Sequence, residues 1–332
     1  MLTAEQIDRN TEWLLEYASA PVKYMTHREL LGTPENSPVM KELWKKVEED
    51  RAVCEIFGKQ NEDGSWCAGG SWARKPGYQL KGGIDPYTPK YVTTVWVLPL
   101  LARMGYRLDD SRIRKACDFT LTHGYFQDEF FSDPCLPPED ARISPCRFAQ
   151  YLIGLSSVGA QREERVQRGY EYLLGVQRED GGWALSQHIR ERGWTRSCPW
   201  STGHAAAALY QKKDKNCTGE LIRALQFLVR HLSEKTPEEM CRFFYHGHNT
   251  VEEMLMVSEY RVGLDTEAVQ TVMKWLMSMY RGDHFVYQGK RVSAYTQKED
   301  AMDAAVARYR LYHRIESDWL TYDMTRIGRN LL

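Results

Sequence analysis

Cysteine and histidine residues stand where several predicted helices begin, and their types would suit a metal ion. Cys146, Cys198 and either His246 or His248 could supply three ligands to zinc and leave a fourth position open, as catalytic zinc sites do. The alternative is that the cysteines are small apolar fillers and that the histidine is solvated or capped. Zinc is the one cofactor that these residues suggest, and the sequence makes none certain.

A second group of residues would suit proton transfer. Asp85, Asp300 and Asp303 could work with His204 or His248, because a cavity that holds carboxyl and imidazole groups together separates their pKa values. Aspartates at helix starts also cap the helix or form salt bridges. The residues themselves leave both interpretations open.

Aromatic and cationic residues make up the third group. Trp96, Trp200 and Tyr245 could line a cavity that holds an apolar chain or stabilises a cation, while Lys90 and Arg147 could bind an anionic head group. The same aromatic side chains would fill the core if there were no cavity. The partner that this group predicts is a small hydrophobic molecule.

One loop signature occurs twice and indicates how these residues are positioned. Gln60–Trp66 and Gln177–Trp183 both have the pattern Gln-x-x-Asp-Gly-x-Trp, and each loop follows one amphipathic helix and precedes another. A long repeat with a fixed loop is typical of a repeat architecture. We predict a structural role for the glutamines and tryptophans, with Gln capping the outer helix and Trp packing between repeats. The later segment 286–290 is a degenerate copy.

Two classes of helix alternate along the chain. The amphipathic class is predicted at 3–18, 38–59, 110–123, 162–177, 217–232 and 265–281. The more apolar class is predicted to start near Lys23, Lys90, Pro145, Pro199, His248 and Lys298. Gly32, Gly105, Gly159 and Gly263 are predicted to end apolar helices as C-caps. This alternation favours an outer layer with one face in water and an inner layer covered by protein.

Six such pairs would close into a ring, so we predict an all-α fold, the (α/α)6 toroid, as one domain over 1–332. Residues 315–332 are expected to be a packing tail. The first turns of the inner helices would converge at one rim, where the helix dipoles favour an anion. Polar residues expected at this rim include Lys23, His27, Lys90, Arg147, Cys198, His204, His248, Glu252 and Asp300.

The two loops resemble the repeats of squalene and oxidosqualene cyclases and of protein prenyltransferase β-subunits. The segment 91–105, an apolar helix followed by a glycine turn, is similar to the inner helix of that superfamily. The resemblance covers about 10–313 and is closest to single-domain prokaryotic proteins described as prenyltransferase or squalene-cyclase repeat proteins. It implies a toroid and an enzyme acting on a small hydrophobic or isoprenoid-like substrate in a central cavity.

The acid motif of squalene-type cyclases is absent from the chain. The Asp-x-Asp-Asp acid is missing: the equivalent position reads Asp85-Pro86-Tyr87, so squalene-type cyclisation is not expected. The Asp-x-Cys spacing of the prenyltransferase zinc site occurs once, at Asp133-Pro134-Cys135, in a predicted rim loop. The alternatives are a binding toroid without catalysis, a zinc enzyme built on two cysteines and a histidine, and a carbohydrate-active toroid.

Composition limits the class of protein. The chain has 332 residues, of which 42% are hydrophobic and 27% charged, as in ordinary globular proteins. A net charge of −1 gives no reason to expect nucleic acid as a partner. A polar N-terminus, the lack of an apolar run long enough for a membrane span, and eight cysteines without a CxxC pair favour a cytoplasmic protein. The sequence gives no prediction of the oligomeric state.

Overall fold

A computed structural model of the protein describes residues 1–66, 93–123, 145–184, 196–241, 244–245, 248–287 and 317–332, with only the backbone at 244–245 and 248–249. The α-helices are Ala4–Tyr17 (α1), Ala20–Met25 (α2), Pro38–Glu48 (α3), Arg51–Phe57 (α4), Thr94–Arg103 (α5), Ser111–His123 (α6), Pro145–Ser157 (α7), Glu164–Gly175 (α8), Pro199–Lys212 (α9), Thr218–Ser233 (α10), Pro237–Met240 (α11), Thr250–Glu259 (α12), Glu267–Ser278 (α13) and Asp318–Leu331 (α14). A π-helix at Thr26–Leu30 continues α2, and short 3₁₀ turns occupy Ala160–Arg162 and Lys215–Cys217.

The fold is all-α, as predicted. Within the described ranges the extended structure is limited to two-residue strands, Phe244–Tyr245 and His248–Asn249, paired antiparallel, and one bridge between Tyr280 and Phe285. None of the helices that the structure describes is long and apolar enough to cross a membrane.

The chain forms two compact units. The first unit comprises Met1–Ile56, Arg103–Gly105 and Leu228–Leu332; the second comprises Phe57–Ala102 and Tyr106–Phe227. In the first unit α14 packs against α12 and α1, and α2 packs against α3. In the second unit α7 packs against α9 and α8. The single domain over 1–332 stays a prediction.

All six predicted amphipathic segments are helical, with 38–59 divided into two helices, α3 and α4, and side-chain caps start several of them. Thr3 forms a capping box with Gln6 at the start of α1, and Ser37 precedes Pro38, which is the first residue of α3. Thr266 caps α13, because its side chain accepts a hydrogen bond from the Val269 amide. Such caps satisfy amide groups that have no partner inside the helix, each contributing about 1 kcal/mol. The glycine turns are confirmed, because Gly32, Gly105, Gly159 and Gly263 all have positive φ.

The repeated loops have the same hydrogen bonds, which confirms their structural role. Gln60 Nε2 donates to the Gly64 carbonyl at 2.9 Å and to the Arg112 carbonyl at 2.9 Å. Gln177 Nε2 donates to the Gly181 carbonyl at 3.0 Å and to the Glu220 carbonyl at 2.9 Å. Each glutamine therefore ties its turn to the start of the next outer helix, α6 or α10, rather than capping the helix before it.

Each loop is also tied to the next inner helix by a threonine. The Trp66 amide donates to Thr94 Oγ1 at 3.0 Å, and the Trp183 amide donates to Thr202 Oγ1 at 3.1 Å. Both indole rings are fully buried. The loops thus connect an outer helix, an inner helix and the next outer helix.

A third copy of this arrangement lies earlier than the degenerate segment that we predicted. The Phe285 amide donates to Thr321 Oγ1 at 2.9 Å, and Gly282 takes the positive φ of the turn. The partner threonine lies on α14. Residues 318–331 form a helix that is buried over most of its length, and the role of 315–332 as a packing tail stays a prediction. The predicted inner helix near Lys298 lies outside the described residues.

Candidate functional site

Three of the predicted site residues lie together in the second unit. The His204 ring is 4.9 Å from the Trp200 ring and 6.0 Å from the Trp96 ring, centroid to centroid. His204 is buried, and its Nδ1 lies 3.0 Å from the Trp200 carbonyl oxygen. Because a carbonyl oxygen only accepts, Nδ1 carries a proton, and in a neutral ring Nε2 is then the basic nitrogen. The cluster offers one base between two indole rings.

Two further predicted residues lie on the helix that packs against α9. Cys146 is buried in the first turn of α7, and Arg147 beside it is half-buried. Cys198 is the N-cap residue of α9 and is partly exposed. Neither cysteine is part of a disulfide, and no group of three His, Cys, Asp or Glu residues in the described ranges is placed to hold a metal. His246 lies outside those ranges, so the zinc site stays a prediction.

Most of the remaining predicted site residues lie outside the described part of the chain. Asp85, Lys90, Asp300 and Asp303 lie outside the described residues, as does His246. Tyr245 and His248 pair with each other across the short strands, and the structure gives only their backbone. Their proposed roles stay predictions.

A charged cluster in the first unit was not predicted. Arg103, the last residue of α5, forms a 2.8 Å ion pair with Asp323 of α14, whose side chain is 1% exposed. Its guanidinium lies 4.7 Å from the centre of the Trp319 ring, which gives a cation–π contact. Glu252 of α12 lies 3.9 Å from the same guanidinium, at the limit of an ion pair. One cation therefore contacts two carboxyl groups and an indole ring.

Glu253, on α12 in the first unit, is a buried acid with a strongly raised pKa. It is 3% exposed, and its Oε1 has no hydrogen-bond partner in the part of the chain that the structure describes. Burial raises the pKa of Glu253 to about 8; the charge of Glu252 also raises this pKa, and Lys235 lowers it. The carboxyl group is therefore mostly neutral at pH 7 and can donate a proton or a hydrogen bond.

The pKa of Glu252 is also raised, but Glu252 gives weaker support for acid chemistry than Glu253. Burial raises its pKa, Arg103 lowers it and Asp323 raises it again, with a net rise. Its side chain is nevertheless 50% exposed, so water solvates one side and limits the effect of burial. The chemical argument therefore rests on Glu253, with Glu252 as its neighbour.

A second polar network lies beside Asp323 on α14. The Tyr322 hydroxyl donates to Glu29 Oε2 at 2.6 Å, and Arg326 Nε lies 3.5 Å from the same oxygen. Burial, followed by the charge of Glu29, raises the pKa of Tyr322 well above its ordinary value. Glu29 comes from the π-helix, and π-bulges are frequent at functional sites. The tyrosine remains a protonated donor at neutral pH.

The sequence contains a signal for the cluster on α14 that our prediction missed. Trp200, Thr202 and His204 have the same spacing as Trp319, Thr321 and Asp323, so Trp-x-Thr-x-His and Trp-x-Thr-x-Asp are copies of one pattern. Both threonines bind a loop amide, which places the histidine and the aspartate at equivalent positions of their helices. Glu252 was expected at the rim without a role, and nothing in the sequence distinguished Arg103 or Glu253.

These sites are an imidazole in contact with two indoles in one unit and, in the other, the neutral carboxyl group of Glu253 and the arginine–aspartate pair near Glu252. Comparisons of the chain with family models, with curated proteins and with solved structures find no match in any of the three, so the chemistry of both sites is argued from their own residues.

Proposed function

We propose that this protein is an enzyme that moves a proton on a small, largely apolar substrate of isoprenoid type, with Glu253 as the acid. The observation that carries the proposal is a buried carboxyl group that is neutral at pH 7 and has an oxygen without a partner in the described ranges. Buried polar groups are nearly always paired, because an unpaired one costs about 1–3 kcal/mol. Such a cost is typical of groups that function requires.

The acidity of Glu253 selects the kind of proton transfer. A carboxyl group with a pKa near 8 is a weak acid, whereas protonation of an isolated alkene needs a strong one. It suits donation to an oxygen that gains negative charge, such as an enolate or a leaving alkoxide, and return of that proton near neutral pH. This agrees with the missing Asp-x-Asp-Asp motif and favours isomerase or lyase chemistry over squalene-type cyclisation.

The substrate class and the toroid belong to the same proposal. Support for a toroid comes from the alternation of amphipathic and apolar helices and from the two loops that tie each pair to the next outer helix. Support for an apolar substrate comes from Trp319 beside Arg103 in the first unit and from the resemblance to isoprenoid enzymes. A polar oxygen of the substrate would bind Glu253, and an anionic head group would be drawn to the cationic side chains.

The test is hydrogen exchange on a probe substrate. Purified protein in D₂O is incubated with geranylacetone, an apolar isoprenoid ketone. Deuterium at the carbons next to the carbonyl is then measured by mass spectrometry. Farnesyl diphosphate serves as a second probe, with an anionic head group. We expect exchange above the buffer rate in the wild type, loss of most of it in Glu253→Gln, and retention in Glu259→Gln. Glu259 is an exposed carboxyl group on the same helix and is the matched control.

Binding must be followed in the same samples. Probe binding that shifts the melting temperature equally in the wild type and in Glu253→Gln, with no exchange or product in either, would remove the enzyme and leave a binding protein.

A binding protein without catalysis is the second candidate, and the aromatic cluster of the second unit favours it. Trp96 and Trp200 present indole rings to the same imidazole, an arrangement that holds flat or cationic ligands without any acid. Trp200→Ala and Trp96→Ala would then weaken binding of an apolar ligand while Glu253→Gln would not.

A further inference from the structure

A thiol, an amine and a carboxylate lie together in the second unit, outside the two sites described above. Lys212 Nζ lies 3.3 Å from Cys217 Sγ and 3.0 Å from Asp214 Oδ2. The Cys217 thiol in turn lies 4.0 Å from Asp214 Oδ2, to which it can donate. The ion pair between Lys212 and Asp214 does not require a sulfur nearby, yet the Lys212 amine lies close enough to Cys217 Sγ to react with it.

The position of Cys217 in the fold is that of a reactive cysteine. The residue ends the 3₁₀ turn that leads into α10, a helix of 16 residues, so its sulfur lies at the positive end of a helix and next to a lysine. Both features are typical of reactive cysteines. The side chain is 4% exposed, which excludes bulky reagents but not a small oxidant.

The amine is held in place by its neighbours. Lys212 is the last residue of α9, and its Nζ lies 5.2 Å from the centre of the Tyr170 ring. The Tyr170 hydroxyl is itself bonded to Ser156 and to the Ala208 carbonyl, so the ring is fixed. Burial lowers the pKa of Lys212, but the hydrogen bonds to Asp214 and Cys217 outweigh it and raise the pKa overall. A defined geometry lowers the entropic cost of a bond between the two side chains.

We infer that Cys217 and Lys212 form a reversible sulfur–nitrogen crosslink when the protein meets hydrogen peroxide. In the first step the Cys217 thiol gives its proton to Asp214 and its sulfur attacks peroxide. An S–O bond forms, the O–O bond breaks, and the leaving hydroxide takes up that proton to become water. In the second step the unprotonated amine attacks the sulfenic acid, an S–N bond forms, the S–O bond breaks, and the amine proton leaves in a second water. Sulfur loses two electrons and peroxide gains them.

The crosslink has a distinct signature in a tryptic digest. After peroxide, free thiols are blocked with N-ethylmaleimide in denaturant, and the protein is digested. Lys212 is then no longer cleaved, and peptide 197–213 stays joined to peptide 216–223, with a mass about 2 Da below the sum of the two. Cys198 lies in the first peptide and must carry the maleimide, which separates this product from a Cys198–Cys217 disulfide. Dithiothreitol should restore both free peptides.

Two variants make the test specific. Lys212→Arg keeps the charge and the donor but removes the nucleophilic amine, so the joined peptides should fall at least about tenfold and Cys217 should proceed to the sulfinic acid. Lys213→Arg, at an exposed neighbouring lysine, should leave the crosslink unchanged. The exposed thiol of Cys54 reports that the peroxide has acted.

Either of two results would overturn the inference. One is full recovery of Cys217 as the maleimide adduct under conditions that oxidise Cys54. The other is the same oxidation product at Cys217 in the wild type and in Lys212→Arg, with cleavage at Lys212 intact in the wild type.

Discussion

Some single residues adopt states that lower the stability of the folded protein. Glu253 is a carboxyl group without a partner in the described ranges, and Gly64 and Gly181 hold a backbone conformation that other residues rarely adopt. Their costs can be measured one residue at a time.

Glu253 should make stability fall as the pH rises. The pKa of Glu253 is about 8 in the folded protein and near 4.5 in the unfolded chain, so between these values the unfolded chain releases a proton that the folded protein keeps. Stability therefore decreases with pH through this window, by about 5 kcal/mol, and is flat above it. Urea denaturation at a series of pH values should show this slope in the wild type and lose it in Glu253→Gln.

The control for this prediction is Glu259→Gln, which should keep the slope. A Glu253→Gln protein that is no more stable than the wild type at pH 8 would show that the carboxyl group is solvated or paired.

Gly181 should not tolerate a side chain. Its φ is +89°, and a Cβ atom there would lie 2.5 Å from the Arg223 carbonyl oxygen. Backbone strain and the clash together should make Gly181→Ala less stable by about 2–4 kcal/mol in urea denaturation. Gly175→Ala is the control: no atom lies within 4 Å of its Cβ position and it ends a helix, so stability should stay equal or rise slightly. Equal losses in the two variants would contradict the prediction.

At the scale of elements, each repeated loop is held to an inner helix by one threonine hydroxyl. Thr202 Oγ1 accepts from the Trp183 amide and donates to the Cys198 carbonyl, and Thr321 has the same two bonds, to the Phe285 amide and the Ser317 carbonyl. These bonds join segments that are not adjacent in the chain. The helices supply the apolar faces, and the threonines set which loop lies over which helix.

Replacing these threonines should cost similar amounts in both units. Thr202→Val keeps the shape but leaves the buried Trp183 amide without an acceptor, so we expect a loss of about 1–3 kcal/mol. Thr321→Val should lose a similar amount through the Phe285 amide. The serine variants keep the hydroxyl and should lose less, which guanidinium denaturation can measure. A valine variant as stable as its serine counterpart would show that the hydroxyl does not hold the loop.

At the scale of the whole molecule, the first unit is assembled from distant parts of the chain. Arg103 comes from the end of α5, and its partner Asp323 is 220 positions later, with Glu252 between them in sequence. The ion pair is buried on the aspartate side, so removing the arginine leaves a carboxylate that water reaches poorly. Removing one partner of such a pair lowers stability strongly, whereas replacing both partners with apolar residues changes stability little.

A double-mutant cycle should show this coupling. Arg103→Met should cost about 3–5 kcal/mol, and adding Asp323→Leu should recover part of it, because the unpaired charge is then gone. Arg9→Met, which breaks an exposed pair with Glu5 on α1, should change stability by less than about 0.5 kcal/mol. If the losses in Arg103→Met and Asp323→Leu simply add, the pair is not coupled in the folded protein.

The sequence by itself determined the all-α class, the positions of the amphipathic helices, the glycine turns and the structural role of the two loops. All of these follow from periodicity, caps and positive φ, which are local properties of the chain. It also gave the neighbourhood of Trp200 and His204, because residues four apart share a helix face.

Only the tertiary structure decided which groups form the acidic site. The pKa of Glu253 is set by burial, and the contact between Arg103 and Asp323 by the packing of helices that are far apart in sequence. Neither burial nor long-range pairing leaves a fixed spacing in the sequence. Arg103 therefore looks like an ordinary helix end, and Asp323 lies in a segment that we expected to be a packing tail. The same reason explains why Lys212 and Cys217 went unnoticed: their spacing of five residues spans a helix end and a 3₁₀ turn, and the fold alone directs both side chains to one place.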